Sequence, residues 1–416
     1  MKIIYCTEVY YLDNALEQVK LLAGAGHEVH LLVELSPKQL KANILHIEAQ
    51  LEEYPPLIPF ASVEKQWGLE YLVEFASQLG SFHFCCYPSK KVLPTLKVGK
   101  AIKKFIRAIR PDFIHLDDFS SRQLFLLPFF YGRKKKLVLN VHDPEVHSGE
   151  FRLLPYMYRF ALYRMISTFV VFSEHSKTSL QRQLGRNKKV VDIKLLPYTV
   201  YRSFSRNSEM GAGEHIGFFG RISPYKGVEI FVDAIAIVHR ERPDVQFHIG
   251  GKTIANYQPD FLGLDLPNVT IENKFLTNAE IVDIIQKSKL IVCPYLDATQ
   301  SGVIMTAYAM NCPVLVSNVG GLPEYVDHGK TGMVLEENSP EALAKTLLQL
   351  VEDKECEQWS ANLSQGAYYR SLYQYNLKGM DLIYQTTGHI NDLKKTKRRS
   401  AMGPPKPVGQ TRRDDL

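Results

Sequence analysis

Nowhere do the 416 residues hold an apolar run of the roughly 18 residues that a membrane-spanning helix needs. The opening segment, Met1-Lys2-Ile3-Ile4-Tyr5-Cys6, lacks the charged stretch, apolar centre and cleavage site of a secretion leader, and reads as a first buried strand. Cysteine is scarce. Cys6, Cys85, Cys86, Cys293, Cys312 and Cys356 fit no metal-ligand spacing, and most sit in apolar runs, where cysteine acts as a small hydrophobe. That usage argues against a disulfide framework or a structural zinc, and for a reducing, cytoplasmic compartment. No repeat of solenoid length occurs, and no platform of interleaved aromatic and basic residues suggests nucleic acid as a partner. Ser173-Glu174-His175 has no nucleophile-elbow context, and Gly24-Ala25-Gly26 follows a helical pattern instead of a strand, so it reads as a helix stop.

What is present is an alternation of short apolar strands with longer helical stretches, the pattern of parallel sheets built from βαβ units. In the first half, strands are expected at Lys2–Cys6, Glu28–Val33, Phe113–Leu116, Leu137–Val141 and Thr168–Ser173, with helices near Ala15–Ala25 and Leu96–Arg110. From Lys194 to Glu214 the rhythm breaks in a stretch of loop composition, which places a domain boundary there. It restarts with a strand at His215–Phe219, a helix near Val228–Glu241 and strands ending at Gly250, Ile271, Cys293 and Ser317. The fold class expected is α/β, with two Rossmann-like domains: residues 1–200, and residues 201–367. The tail, 389–416, is basic and rich in glycine and proline, a composition that builds no core.

The strongest chemical signal lies in Gly217-Phe218-Phe219-Gly220-Arg221-Ile222-Ser223-Pro224-Tyr225-Lys226-Gly227, where a strand runs into a helix. Gly220 lets backbone approach a ligand closely at the strand's carboxyl end. Arg221 and Lys226 then flank a tight turn. Two fixed cations suit a diphosphate leaving group, which gains negative charge as its bond to sugar breaks. The competing reading is a surface turn with two solvated charges. A second stretch, Asp297-Ala298-Thr299-Gln300-Ser301-Gly302-Val303, also follows a strand and precedes a helix, expected at about Ile304–Met310. Ser301 and Gly302 fall where helix-start N–H groups offer an anion site. Asp297 has the alternative of capping that helix.

Taken together, Phe219-Gly220-Arg221-Ile222-Ser223-Pro224-Tyr225-Lys226-Gly227, Thr299-Gln300-Ser301-Gly302-Val303, Ala309 with Pro313-Val314, Val319-Gly320-Gly321-Leu322-Pro323-Glu324 and His328-Gly329-Lys330-Thr331-Gly332 resemble the donor-binding half of family-4 retaining glycosyltransferases with the GT-B fold. The resemblance implies that Arg221 and Lys226 bind the donor diphosphate, and that Gly220, Gln300, Ser301, Gly302 and Val303 line the same site. It implies retention of anomeric configuration without a metal ion or cofactor, a nucleotide-diphosphate sugar being the donor. It also implies a helix near 368–388 that crosses back to the first domain. His142-Asp143-Pro144 looks like the family's cleft histidine, so His142 joins the catalytic candidates, with Asp143, His147 and Glu150 on the acceptor side. The sequence departs from the family at its usual pair of glutamates, eight positions apart: they fall on Ala298 and Thr306. Asp297, next to the first, is carried over in its place. The glycines usual after the first strand are replaced by Thr7-Glu8-Val9-Tyr10-Tyr11.

His142, Asp143, His147 and Glu150 lack the helical spacing of a metal site, which is not expected here. The bases Lys97, Lys100, Lys103, Lys104, Arg107 and Arg110 recur along one helix whose apolar positions pack inward; with Arg133-Lys134-Lys135-Lys136 they either face an anionic membrane or form a plain solvated face. The reading is a glycosyltransferase of hexosyltransferase type, peripheral at the inner membrane face, moving sugar to a carbohydrate or lipid-linked acceptor in surface polysaccharide or glycan synthesis. Its rivals are a GT-B epimerase or phosphorylase, and a non-catalytic sugar-nucleotide-binding protein.

Overall fold

The computed structural model describes residues 1–89, 91–118, 120–144, 162–185, 187–205, 213–255, 257–259, 261 and 264–384. His147, Glu150 and the tail 389–416 lie outside them. Two sheets organise the chain. The first contains β1 (Lys2–Glu8), β2 (Glu28–Leu35), β3 (Leu57–Pro59), β4 (Ser81–Cys86), β5 (Phe113–Asp117), β6 (Leu137–Asn140), β7 (Thr168–Val171) and β8 (Lys189–Asp192), in the order β3-β4-β2-β1-β5-β6-β7-β8. The second contains β9 (His215–Phe219), β10 (Phe247–Gly250), β11 (Val269–Glu272), β12 (Ser288–Cys293), β13 (Val314–Ser317) and β14 (Gly332–Leu335), in the order β11-β10-β9-β12-β13-β14. Among the described strands, only the short β3 pairs antiparallel.

Helices cover both faces of each sheet, so the strands are near-continuous apolar runs, as in Ile3-Ile4-Tyr5-Cys6 and Leu290-Ile291-Val292-Cys293, all buried. In each sheet the strand order reverses beside the first strand, between β1 and β5 and between β9 and β12. At such a reversal the flanking loops leave in opposite directions and open a crevice beyond the strands' carboxyl ends. The geometry of any site therefore begins at Glu8, Asp117, Phe219 and Cys293.

Local signals set the helices between these strands. Thr277 and Glu280 close a reciprocal capping box on the helix Asn278–Lys287, and the Ser339 hydroxyl accepts from Ala342 N at the start of Pro340–Glu352. The basic helix runs Val92–Ile109 and ends at Arg110, whose φ of 53° is left-handed. It begins four residues before the sequence reading because Pro94 sits in its first turn, where a missing N–H is no loss. The anion-site helix is Gly302–Ala309, also starting earlier than expected.

The last described helix, Ala367–Tyr384, returns to the first sheet. Asn376 accepts from Lys194 N and donates to Lys194 O, both at 2.7 Å, and is fully buried. Gly379 lies where an added Cβ would come within 2.6 Å of Ile193 Cγ2, and Tyr384 bonds His115 at 2.5 Å.

Candidate functional site

Gly220, at φ 114°, closes β9, and a Cβ there would lie 3.3 Å from Val303 Cγ2. The turn after β9 and the helix start after β12 are thus neighbours across the switch point. They are also tied by backbone. Leu296 N donates to Tyr225 O at 2.8 Å, and Gly227, at φ 62°, backs onto Pro294 O so closely that a Cβ would sit 2.0 Å from it. Behind them, a Cβ on Gly251 would fall 1.8 Å from Gly220 O.

Both cations converge on this junction. The Arg221 guanidinium reaches the Tyr225 hydroxyl at 3.4 Å, while the half-buried Lys226 ammonium lies 3.8 Å from the Tyr295 ring centroid and 5.4 Å from that of Tyr225. Burial, with the like charge of Arg221, pushes the Lys226 amine down to about 8. Tyr225 and Tyr295 were not singled out from sequence; as aromatic residues bordering the two loops, they are the signal that could have been used.

Beside them stands the N-terminus of Gly302–Ala309, with no acidic residue in its first turn and no side-chain cap. Ser301, the N-cap residue, is buried and spends its hydroxyl on Tyr295 at 3.2 Å. The helix-start N–H groups therefore keep their capacity to bind an anion. Thr306, at the second of the family's glutamate positions, is buried and donates back to Gly302 O at 2.9 Å; Ala298, at the first, is buried too. Asp297 lies exposed on the loop, and the cap position belongs to Ser301.

The first domain brings His142 to the same place. Its Nε2 lies 2.8 Å from Asp117 Oδ1, at the end of β5, and its ring is sandwiched between Tyr11 at 3.8 Å and Phe172 at 4.7 Å. Burial opposes the charged ring, but Asp117, with Asp118 and Asp143, outweighs it and holds His142 above the ordinary histidine value. Burial would likewise raise Asp117; His142, Asn140 and Thr7 outweigh it and hold the carboxyl below the usual range. Tyr11, from the loop that replaces the expected glycines, also donates to Asp118 at 3.3 Å.

Side chains of the two domains meet across the crevice. Gln300 Nε2 lies 3.2 Å from His142 Nδ1, and its Oε1 is buried without a partner. Turning this amide over lets Oε1 accept from an imidazolium N–H, satisfying both groups. Thr299 donates to Asp143 at 2.5 Å. Glu324 accepts from the N–H groups of Glu174 and His175, at 2.8 and 2.9 Å, and pairs with Lys194. Sequence reading had marked Glu324 only as part of a motif. Among the described residues no group of three or more His, Cys, Asp or Glu is arranged to hold a metal, and no helix is long and apolar enough to cross a membrane.

Residues 15–193 match the family Glycosyltransferase Family 4, and residues 213–353 match the family Glycosyl transferases group 1. Among curated proteins, the D-inositol 3-phosphate glycosyltransferase of Corynebacterium glutamicum is 30% identical over 158 residues, 35% of this chain and 38% of that protein. The Paenarthrobacter aurescens protein of the same description is 28% identical over 145 residues, 33% and 36% of the two chains. Each match thus spans little more than a third of the relative. Among solved structures, a glycosyltransferase from Rickettsia africae superposes with a TM-score of 0.60 at 15% identity, covering 93% of this chain and 99% of that one. Anabaena HepE, in complex with UDP and glucose, does so with 0.59 at 17%, covering 92% and 99%. At these identities the likeness establishes the fold, which is GT-B.

Proposed function

Because this chain belongs to the group 1, family-4 glycosyltransferases, we propose that it transfers a sugar from a nucleotide-diphosphate donor to a carbohydrate or lipid-linked acceptor, with retention and without a metal ion. The observation that carries this reading is the convergence of Arg221 and Lys226 on Tyr225, next to the uncapped start of Gly302–Ala309. Two cations and a row of N–H groups on one crevice wall match a diphosphate in charge and in hydrogen-bonding capacity.

In the proposed reaction the bond between the anomeric carbon and the phosphate oxygen breaks as the bond to the acceptor oxygen forms on the same face. The acceptor proton passes to the departing phosphate oxygen. Arg221 and Lys226 stabilise the charge that gathers on the diphosphate, which is worth most in a closed, water-poor crevice. His142, held by Asp117 and flanked by Tyr11, orients the transferred sugar, and Asp143 with Asp118 borders the acceptor's approach. UDP is the nucleotide in the Anabaena HepE complex and is the first to try. A role in surface polysaccharide or glycan synthesis follows from that acceptor class.

A second reading, a sugar-nucleotide-binding protein without transfer activity, is favoured by Ala298 and Thr306 at the two glutamate positions. One experiment separates the two. Donor binding is measured by calorimetry across a panel of nucleotide sugars, and release of nucleoside diphosphate is followed with and without glycan acceptors. Binding with release supports transfer; binding with none supports the second reading; no binding of any donor rejects both.

A further inference from the structure

The outward face of the helix Val92–Ile109 does not end in solvated charges alone. Val98, Ile102 and Ile106 are buried, as the apolar spacing predicts, but Val92, Leu93 and Leu96 are exposed, Leu93 by 73%. The helix runs back from the carboxyl end of β4 towards the start of β5, so these three protrude at the crevice end of the sheet. On the face they share, Lys97, Lys100, Lys104 and Arg107 follow at helical spacing.

The neighbouring segment extends the surface. Residues Ser121–Leu126 pack on the helix, Gly99 facing Leu126, and leave Phe125 exposed; Arg107 and Arg133 both cover the Phe129 ring. Below them, Tyr131 is 63% exposed and borders a recess of about 650 Å³ shared with Lys134, Lys135 and Arg164. Between Lys91 and Lys136 the acidic residues are Asp112, Asp117 and Asp118 alone, and Asp117 faces His142 while Asp112 accepts from Lys2 N.

We propose that this flank of the first domain docks on an anionic lipid bilayer, Leu93 and Leu96 entering the interfacial layer while the lysines and arginines meet the headgroup phosphates. A solvated face has no use for a 73%-exposed leucine at a protruding tip, and a groove for a protein helix would be concave. A nucleic acid would use the charge and ignore the leucines. The docking reading stands apart from the transferase reading, and it puts the crevice mouth on the membrane side.

The test uses the full chain in co-sedimentation with vesicles of phosphatidylcholine alone or with roughly a third phosphatidylglycerol. The expected result is at least about tenfold stronger partition to the anionic vesicles, weakened by salt. Leu93→Ser with Leu96→Ser should lower that partition about tenfold and leave binding to heparin unchanged. Lys97→Glu, Lys100→Glu and Lys104→Glu together should lower both. All five positions are on the helix's outer face, and circular dichroism checks that it stays folded. Equal binding to the two vesicle types, or anionic binding that the leucine pair does not affect, overturns the proposal. The latter outcome would assign the attraction to charge alone.

Discussion

Lys226 is held where its charge is easiest to lose. Its amine is pushed down to about 8 by burial, so the protonated form that pairs with phosphate gives way to the neutral form as pH rises through that value. Donor affinity should therefore be full near pH 6.5 and fall through about pH 8, and Lys226→Arg should move the loss upward, since a guanidinium stays charged. Calorimetric titration of the donor at several pH values checks this. Arg221→Ala and Lys226→Ala should each lower turnover by about 100- to 1000-fold, the range for removing one group that stabilises a developing charge. Steady-state rates with an identified donor measure it, and wild-type rates in both variants would remove these residues from the mechanism. The Asp117–His142 pair confines its contribution to a pH window, His142 limiting it on the alkaline side and Asp117 on the acid side. His142 is raised in the folded state, so its share of stability is present below the ordinary histidine value and is lost as pH rises through the folded one. Asp117 is depressed, so its share is present above the ordinary carboxylate value and lost as pH falls through the folded one. His142→Ala leaves a buried carboxylate unpaired and should cost about 3–5 kcal/mol in denaturant unfolding.

The elements that carry the site are strand ends pressed together backbone to backbone. Gly251, at φ 149°, would place a Cβ 1.8 Å from Gly220 O, and Gly227, at φ 62°, would place one 2.0 Å from Pro294 O. No side chain can occupy these positions unless the loops separate, and Arg221 and Lys226 ride on those loops. Gly251→Ala should accordingly lower stability by more than about 2 kcal/mol and weaken donor binding as well, read by thermal shift with and without nucleoside diphosphate. The C-terminal helix is fastened differently, through paired polar bonds in an apolar seam. Asn376→Leu removes both contacts with Lys194 and leaves its part-buried N–H and C=O without these partners, at a cost of about 1–3 kcal/mol. A lower denaturation midpoint with an unchanged slope would be the signature.

At the scale of the whole molecule, the domains are closed on one another. Glu324, from the second domain, accepts from two N–H groups at the start of the first-domain helix Glu174–Leu184, and pairs with Lys194; Tyr325 bonds Phe172 O. A carboxylate on a helix N-terminus and a cation at once is a strong clasp. Glu324→Ala should loosen it, raising the radius of gyration in X-ray scattering, with nucleoside diphosphate restoring part of the compaction. An unchanged scattering profile would show that closure rests on the apolar contacts instead.

Much of this was legible in the order of residues. The strands β9 and β13 and the helix Val228–Glu241 stand at the bounds read from apolar periodicity, and the Ser339 cap forms as its motif predicts. Such features depend on neighbours within a turn or two, where local sterics and hydrogen bonding decide. The strand β4 was missed because Ser81–Cys86 is short and partners β2, Glu28–Leu35, across a long intervening stretch with no repeat to mark it. Leu93 falls before the helix expected at Leu96–Arg110, and the sequence singles out neither it nor Leu96; exposure depends on what covers a face, and nothing in the described chain covers theirs. The sequence by itself determined which chemistry was at hand: two cations and a helix start after apolar strands. Only the tertiary structure decided that the cations meet the helix start, that Tyr295 lies beneath Lys226, and that Tyr11 stacks on His142. Those are contacts between segments far apart in the chain, set by which strands lie side by side at the reversal of each sheet.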